Sequence, residues 1–447
     1  MKSKQVFNNA KWIIVCKIAQ SFLQFLVGII SARYLGPSNY GLINYAASVV
    51  SFVIPVVKLG FDATLVKELI DKPNKEGEIL GTSFTLNFIS SILSVLSVFL
   101  FASIANAGET ATIIVCVLYS LMLLFTVLEM TQFWFQYKLL SKYSSVVMLI
   151  SYFCVSAYKI FLLITEKSVY WFAVSHSIEY GLIGLLLIII YFRLDGQKLS
   201  FSKSTAKEML SRSKYYIVAS LLVVVFQNIG VVLLSNLSGY DETGYYTSAL
   251  MSATVVQFVY TAITDSYRPL ILTAKKESNE DYEKNVSGLY GIIVYTSLAQ
   301  SIVFAVFAKL IISILYGADF MSAVPVLQIL VWFCPFSFMG TVRNIWLLAE
   351  EKQKELWKIN LFGVVINIIS NAIFIPIAGA CGAAIAAFIT QFLMNFVFGF
   401  IYKPIRKNNE LMLKGLNPKF AFNEFISIWN MLIADKFPKL KINTNNK

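Results

Sequence analysis

The chain has 447 residues, of which 57% are apolar and only 14% charged, with a mean hydropathy of +0.69 and a formal net charge of +12. Soluble domains run nearer a quarter charged, and no soluble fold could cover this much apolar surface, so the composition excludes a soluble enzyme. One histidine and five scattered cysteines, all inside apolar runs, exclude an imidazole-built metal site and a disulfide framework, and no cofactor is expected.

A membrane crossing needs about 20 mainly apolar residues. Apolar runs bounded by breaks predict an all-α integral membrane protein of about twelve transmembrane helices, near 12–35, 40–60, 79–103, 111–134, 144–165, 169–192, 215–237, 243–267, 286–309, 323–349, 357–376 and 380–402. The first run follows Lys2, Lys4 and Lys11, as in a secretory signal, but it is too long for one and ends in Gly36-Pro37, so it reads as the first helix. With a cytoplasmic N-terminus, 30 of the 37 Lys and Arg fall on the inner side, three outside (Arg33, Lys167, Lys309) and four within spans (Lys17, Lys58, Lys159, Arg343). That bias follows the positive-inside rule and places both termini in the cytoplasm of a bacterial inner membrane. The positive charge is therefore topological, matched to anionic headgroups, and implies no nucleic acid.

The external connectors are short and leave no room for a catalytic domain. The longest internal one, Arg193 to Lys214, carries six basic residues, and Thr205-Ala206-Lys207-Glu208 reads as a capping box, so a basic helix on the inner headgroups is expected there. It divides the chain into six-helix bundles at 1–200 and 201–404, followed by a tail at 405–447. Phe422, Phe425, Ile426, Trp429, Leu432 and Ile433 at helical spacing predict an interfacial amphipathic helix in that tail. The halves share a weak repeat, Tyr40-Gly41 with Ala46 and Thr243-Gly244 with Ala249, which suggests parallel repeats with a site between them.

Ionisable groups at membrane depth cost at least about 2.5–3.5 kcal/mol each, so each asks for a partner or a wet cavity. Lys17, Gln20 and Gln24 share one face of the first span, with Ser21, Gly28 and Ser31 close by. Neutral Gln and Ser commonly join helices, whereas Lys17 either lines a cavity or snorkels inward. Lys159, His176 and Glu179 fall at similar depth on neighbouring antiparallel spans, where they either couple transport to protons or form a plain buried ion pair. Asp62, Glu129, Asp265 and Arg268 lie near inner span ends and read as headgroup anchors. Arg343 lies deeper, beside Thr341 and Asn344, where it could grip an anion. Asn360, Asn367 and Asn371 form a stripe that reads as helix packing.

The block Ser31-Ala32-Arg33-Tyr34-Leu35-Gly36-Pro37-Ser38-Asn39-Tyr40-Gly41, with Leu59-Gly60-Phe61-Asp62 after it, resembles the start of bacterial polysaccharide flippases of the multidrug/oligosaccharidyl-lipid/polysaccharide exporter superfamily. Gly244-Tyr245-Tyr246 with Ala249, and the Gly-Ala-rich stretch from Pro376 to Ala387, are similar to later landmarks of that family. The resemblance implies two six-helix bundles around a central cavity and alternating access. It implies an undecaprenyl-diphosphate-linked oligosaccharide as cargo, such as an O-antigen or capsule repeat unit, with proton or sodium coupling and glycan-assembly proteins as partners. The substrate-cavity residues would be Lys17, Gln20, Gln24, Lys159 and Arg343, and the coupling residues His176 and Glu179. Many relatives carry an aspartate midway along the seventh span where this chain has Gln227-Asn228, which shifts the coupling role to Glu179 with His176. A cation-coupled multidrug exporter of the same superfamily is the alternative; it would favour an acidic cavity, and buried cations here are at least as numerous as buried acids.

Overall fold

The computed structural model describes residues 2–422. Among them there is no strand: the secondary structure is helical throughout. The expected amphipathic helix of the tail falls, apart from Phe422, outside the described residues.

The described chain falls into two compact units, Met1–Thr247 with Leu315–Phe320, and Ser248–Ile314 with Met321–Lys447. In the first, α1 (Lys2–Lys58) is followed by α2 (Phe61–Asp71), α3 (Glu76–Ala105), a span assembled from α4 (Thr110–Ser120), α5 (Met122–Glu129) and α6 (Gln132–Tyr137), α7 (Ser141–Ile164), α8 (Val169–Arg193), α9 (Lys203–Ser238) and most of α10 (Tyr240–Thr254). The second holds α11 (Gln257–Glu277), α12 (Asn279–Val306), most of α13 (Ala308–Tyr316), α14 (Ala323–Leu330), α15 (Phe333–Ala349), α16 (Leu356–Phe392), a π-helical turn at Leu393–Val397, α17 (Phe398–Ile401) and α18 (Arg406–Gly415). Among the described residues nine helical segments are long and apolar enough to cross a membrane, or ten when the bent pair α10 and α11 counts as one. Two of them, Val15–Asp71 and Gln353–Ile401, are far longer than one crossing requires, and each contains non-helical backbone, at Gly36 and at Ala378 and Gly379. Gly36 holds φ +71°, a region glycine enters without steric cost, and Pro37 then starts the second half with a pre-set φ and no amide to leave unpaired.

Side-chain sorting is that of a membrane protein. On α3 most of the buried face is small or polar (Gly81, Ser83, Asn87, Ser91, Ser94, Ala102), with Ile79, Leu80 and Val98 the large apolar exceptions, while Phe88, Ile89, Leu93 and Phe99 are exposed. Lipid gives apolar side chains no reason to turn inward, so small residues that allow close helix approach take the interior. In the first unit one core joins Leu42, Tyr45, Val49, Val98, Val115, Met122, Ala173 and Val232, and another joins Phe61, Leu65, Ile79, Trp134, Leu187, Tyr191 and Met209.

The connector before α9 departs from the expected surface helix. Residues 196–202 run without helix across the start of α3: Ser200 N donates to Gly77 O at 3.1 Å, Gly77 N to Gln197 Oε1 at 3.1 Å, and Ser202 N to Thr82 Oγ1 at 3.0 Å. Ser202, not Thr205, is the N-cap, its hydroxyl accepting from Thr205 N at 3.3 Å. Thr205 lies inside the helix and donates to Glu78. The helix that begins at Lys203 is continuous with the seventh span and ends at Ser238, because no breaker separates the basic start from the apolar run. Its start is pinned to α2: Arg212 Nη1 lies 2.7 Å from Glu68 Oε1, and Lys72 Nζ lies 2.6 Å from Glu208 Oε2.

The α9–α10 turn packs on α1 in the same unit. Gly41 approaches so closely that a Cβ there would lie 1.9 Å from Tyr240 O, and a Cβ on Gly244 would lie 2.2 Å from Pro37 O. Both partner positions, 37 with 240 and 41 with 244, are 203 residues apart. Tyr240 Oη donates to Glu109 Oε2 at 2.8 Å, and Tyr45 Oη donates to Asn106 Oδ1 at 2.8 Å, which ties α1, α3, α4 and α10 together.

Candidate functional site

In the first unit, α7 and α8 bring Lys159, His176 and Glu179 together, as their depths predict. His176 Nδ1 lies 3.7 Å from Glu179 Oε2, one helical turn away. The imidazole packs on Tyr119 of α4 with ring centroids 4.6 Å apart. Lys159 interacts electrostatically with both His176 and Glu179, yet has no carboxylate oxygen within 4 Å, so the plain buried ion pair is not formed. Tyr119, Tyr152 and Tyr180 also interact with the Glu179 charge. This is a mixed-charge cluster walled by aromatic rings.

Glu129 belongs to this cluster and not to the headgroup anchors expected at inner span ends. Its Oε1 accepts from Gln132 Nε2 at 3.2 Å, its Oε2 is buried without a hydrogen-bond partner, and its charge acts on Glu179 and Tyr180. The reason is local: the fourth span is broken into α4, α5 and α6, so a residue apparently near its inner end is turned into the bundle. A near-terminal acid followed by polar Thr131, Gln132 and Gln136 was the available signal.

Lys17, Gln20 and Gln24 stand apart from that cluster on the first half of α1. Lys17 and Gln24 are exposed, Gln20 is partly buried, and none of the three side chains has a hydrogen bond or ion pair among the described residues. Exposed apolar side chains (Val15, Phe22, Leu26) occupy the opposite face, so α1 presents one polar and one apolar open surface.

Arg343 lies in the second unit on α15 and is only 4% exposed. Its Nη1 donates to Asn395 Oδ1 at 2.7 Å and to Met394 O at 3.4 Å in the π-helical turn, and its Nη2 to Asn344 Oδ1 at 3.4 Å. Nε has no partner, and no carboxylate lies within 4 Å among the described residues. Neutral dipoles thus hold a full positive charge. A π turn wedged into a long helix costs hydrogen-bond geometry and tends to survive where it serves a site. Asn371 Nδ2 donates to Asn367 Oδ1 at 2.8 Å one turn away along α16, and both side chains are buried.

Residues 6–275 match the family described as "Polysaccharide biosynthesis protein". The chain is similar to the capsular polysaccharide biosynthesis protein CapF of Staphylococcus aureus, with 22% identity over 391 residues, 84% of this chain and 94% of that one. It also resembles the uncharacterized membrane protein MJ1068 of Methanocaldococcus jannaschii, with 27% identity over 225 residues, 47% of this chain and 43% of that protein. Among solved structures, an inward-facing multidrug resistance MATE family transporter of the MOP superfamily aligns with TM-score 0.69 at 15% identity, covering 88% of this chain and 95% of that one. The lipid II flippase MurJ in an inward closed conformation aligns with TM-score 0.68 at 14% identity, covering 95% and 99%. These neighbours share its all-helical transporter fold and are not enzymes. With the family match spanning more than half its length, this multi-span membrane chain belongs to the polysaccharide biosynthesis protein family.

Proposed function

We propose that the chain is a flippase that moves undecaprenyl-diphosphate-linked oligosaccharide units from the cytoplasmic to the periplasmic leaflet of a bacterial inner membrane by alternating access. The observation that carries this reading is the state of its intramembrane cations: Lys17, Lys159 and Arg343 have no carboxylate within 4 Å among the described residues. Cations left uncompensated at membrane depth are expensive unless the cargo brings the negative charge, and a diphosphate brings it. The family description and the similarity to CapF and MurJ support the same cargo class. The reading takes each of the two over-long helical segments as two crossings, for twelve spans in two six-helix bundles.

Lys17 is the exposed cation and the natural first contact. Arg343 sits behind its wall of amides and acts by its field, which reaches further in a poorly polarisable interior than in water. His176, Glu179 and Glu129 supply the groups that would couple transport to protons. The test is complementation of a flippase-null strain with Lys17→Ala, Lys159→Ala and Arg343→Ala. Loss of surface glycan at normal protein levels is expected, and normal glycan from all three would overturn the assignment.

The likeness to MATE family transporters supports a second reading, a cation-coupled drug exporter. It requires an acidic cargo site, and Glu179 and Glu129 share theirs with Lys159. Drug resistance conferred by the wild-type chain without rescue of surface glycan would favour it.

A further inference from the structure

The sequence repeat becomes a register once the close approaches of Gly41 and Gly244 are laid against each other. The two contacts are reciprocal, Gly41 resting on the carbonyl oxygen of Tyr240 and Gly244 on that of Pro37, so a register offset of 203 residues, which pairs 37 with 240 and 41 with 244, exchanges one contact for the other. The turn glycines obey it too: Gly36 has φ 71° and Gly239 φ 91°, with ψ 172° and 177°. Ala46 and Ala249 are equivalent and both fully buried. Carried back along α1 and α9, the register pairs Gln24 with Gln227.

These two glutamines share more than a position. Both are exposed, and neither side chain has a hydrogen-bond partner among the described residues. An unpaired carboxamide facing hydrocarbon would forfeit both its donor and its acceptor bonds, so the faces carrying them open on water or on a polar cargo. On α1 that face also holds Lys17 and Ser21, within a polar arc of about 60° at 100° per residue. On α9 it holds Ser220, the register partner of Lys17. α1 and α9 pack on each other in the same unit, so both faces belong to one structural body.

We infer that Gln24 and Gln227 are equivalent sugar-contacting residues, one from each repeat, that bind hydroxyl groups of the cargo's saccharide. This rests on the flippase reading and adds to it the part of the cargo each position meets. A carboxamide offers a donor and an acceptor together, which is what a sugar hydroxyl needs; a diphosphate offers acceptors alone and is matched by a cation. Lys17 and Gln24 are seven residues apart, about 10 Å along the helix axis. A diphosphate held at Lys17 would therefore place the sugars attached to it within reach of Gln24.

The test uses the full chain with its five cysteines replaced by serine, carrying Gln24→Cys or Gln227→Cys, reconstituted in lipid vesicles. A charged, water-soluble thiol reagent is applied with undecaprenyl diphosphate alone, or with the undecaprenyl-diphosphate-linked oligosaccharide extracted from the source cells. Both cysteines are expected to react, while Phe22→Cys and Val218→Cys, on apolar exposed faces, stay unreactive. The sugar-bearing lipid should slow both reactions and undecaprenyl diphosphate alone should not. Gln24→Leu and Gln227→Leu should each raise the half-saturating concentration of the sugar-bearing lipid about tenfold, the size of one net hydrogen bond, with Gln→Asn recovering part of it. Unreactive cysteines, equal protection by both lipids, or no protection while the cysteine-less parent still flips the lipid would overturn the sugar contact and leave the flippase reading standing. A parent that moves neither lipid would overturn both.

Discussion

A Cβ placed on Gly41 would lie 1.9 Å from the carbonyl oxygen of Tyr240, closer than any relaxed contact allows, so the two chain segments are held at backbone distance. Gly41→Ala and Gly244→Ala should therefore destabilise by at least the 1–3 kcal/mol usual for overpacking, since the neighbour is backbone and cannot swing aside. The control is Gly181→Ala, whose new methyl would meet Phe125 at 3.6 Å, an ordinary contact. Thermal unfolding in detergent should separate the first two clearly from the third.

The pin between α2 and α9 gives an asymmetric prediction. Glu68 is buried to 3% exposure and takes its bond from Arg212, itself half exposed, while Lys72 reaches it at only 3.7 Å. Removing Arg212 leaves a buried carboxylate poorly compensated, whereas removing Lys72 leaves the short Arg212 contact intact. Arg212→Ala should thus lower thermal stability more than Lys72→Ala, and Glu68→Gln should relieve most of that loss in the double variant. Lys72 lies outside the spans, and its bond to Glu208 holds its pKa above the ordinary lysine value. Its contribution is therefore complete at neutral pH, begins to fall only above the ordinary lysine value, and is lost as pH rises through the raised one.

The charge of Glu129 on α5 acts on Glu179 of the neighbouring α8. If they form the proton-coupling pair, Glu179→Gln should flatten the pH dependence of lipid transport in proteoliposomes, and Glu129→Gln should shift its midpoint while leaving transport present. An unchanged profile in Glu179→Gln would remove that residue from the coupling step.

The all-helical, many-span fold, the contact of His176 with Glu179 and the interior position of Arg343 were legible in the sequence because each follows from hydropathy and depth along a helix. Period and hydropathy encode depth directly. Glu129 was not legible, because its direction depends on how α4, α5 and α6 are broken, and breaks at Leu121 and Met130 carry no glycine or proline to announce them. The strap at 196–202 was missed for a related reason: basic residues and a capping-box pattern suit a surface helix equally well, and only the notches at Gly77 and Gly81 show where the chain is drawn in. The repeat was faintly visible in two short matches. Its strength came from backbone angles and reciprocal contacts, which sequence identity does not record.

The charge bias makes a prediction about orientation that is independent of cargo. Thirty basic residues fall in segments expected on the inner side and three in those expected outside, and moving one helix would invert every loop after it. In a variant lacking the five native cysteines, Ala107→Cys and Lys167→Cys should react with an impermeant thiol reagent added to intact cells. Lys198→Cys and Lys354→Cys should react only after the membrane is opened. Ala107, Lys167 and Lys198 lie in connectors between described helices and Lys354 in the short polar 3-10 turn that opens the Gln353–Ile401 segment, so labelling reports the side of the membrane and not burial within a span. The pair at 198 and 354 bears on the first over-long segment: with α1 crossing twice about Gly36, every connector through residue 354 keeps its expected side, whereas a single crossing would put Lys198 and Lys354 outside together with an excess of lysine and arginine that the positive-inside rule opposes.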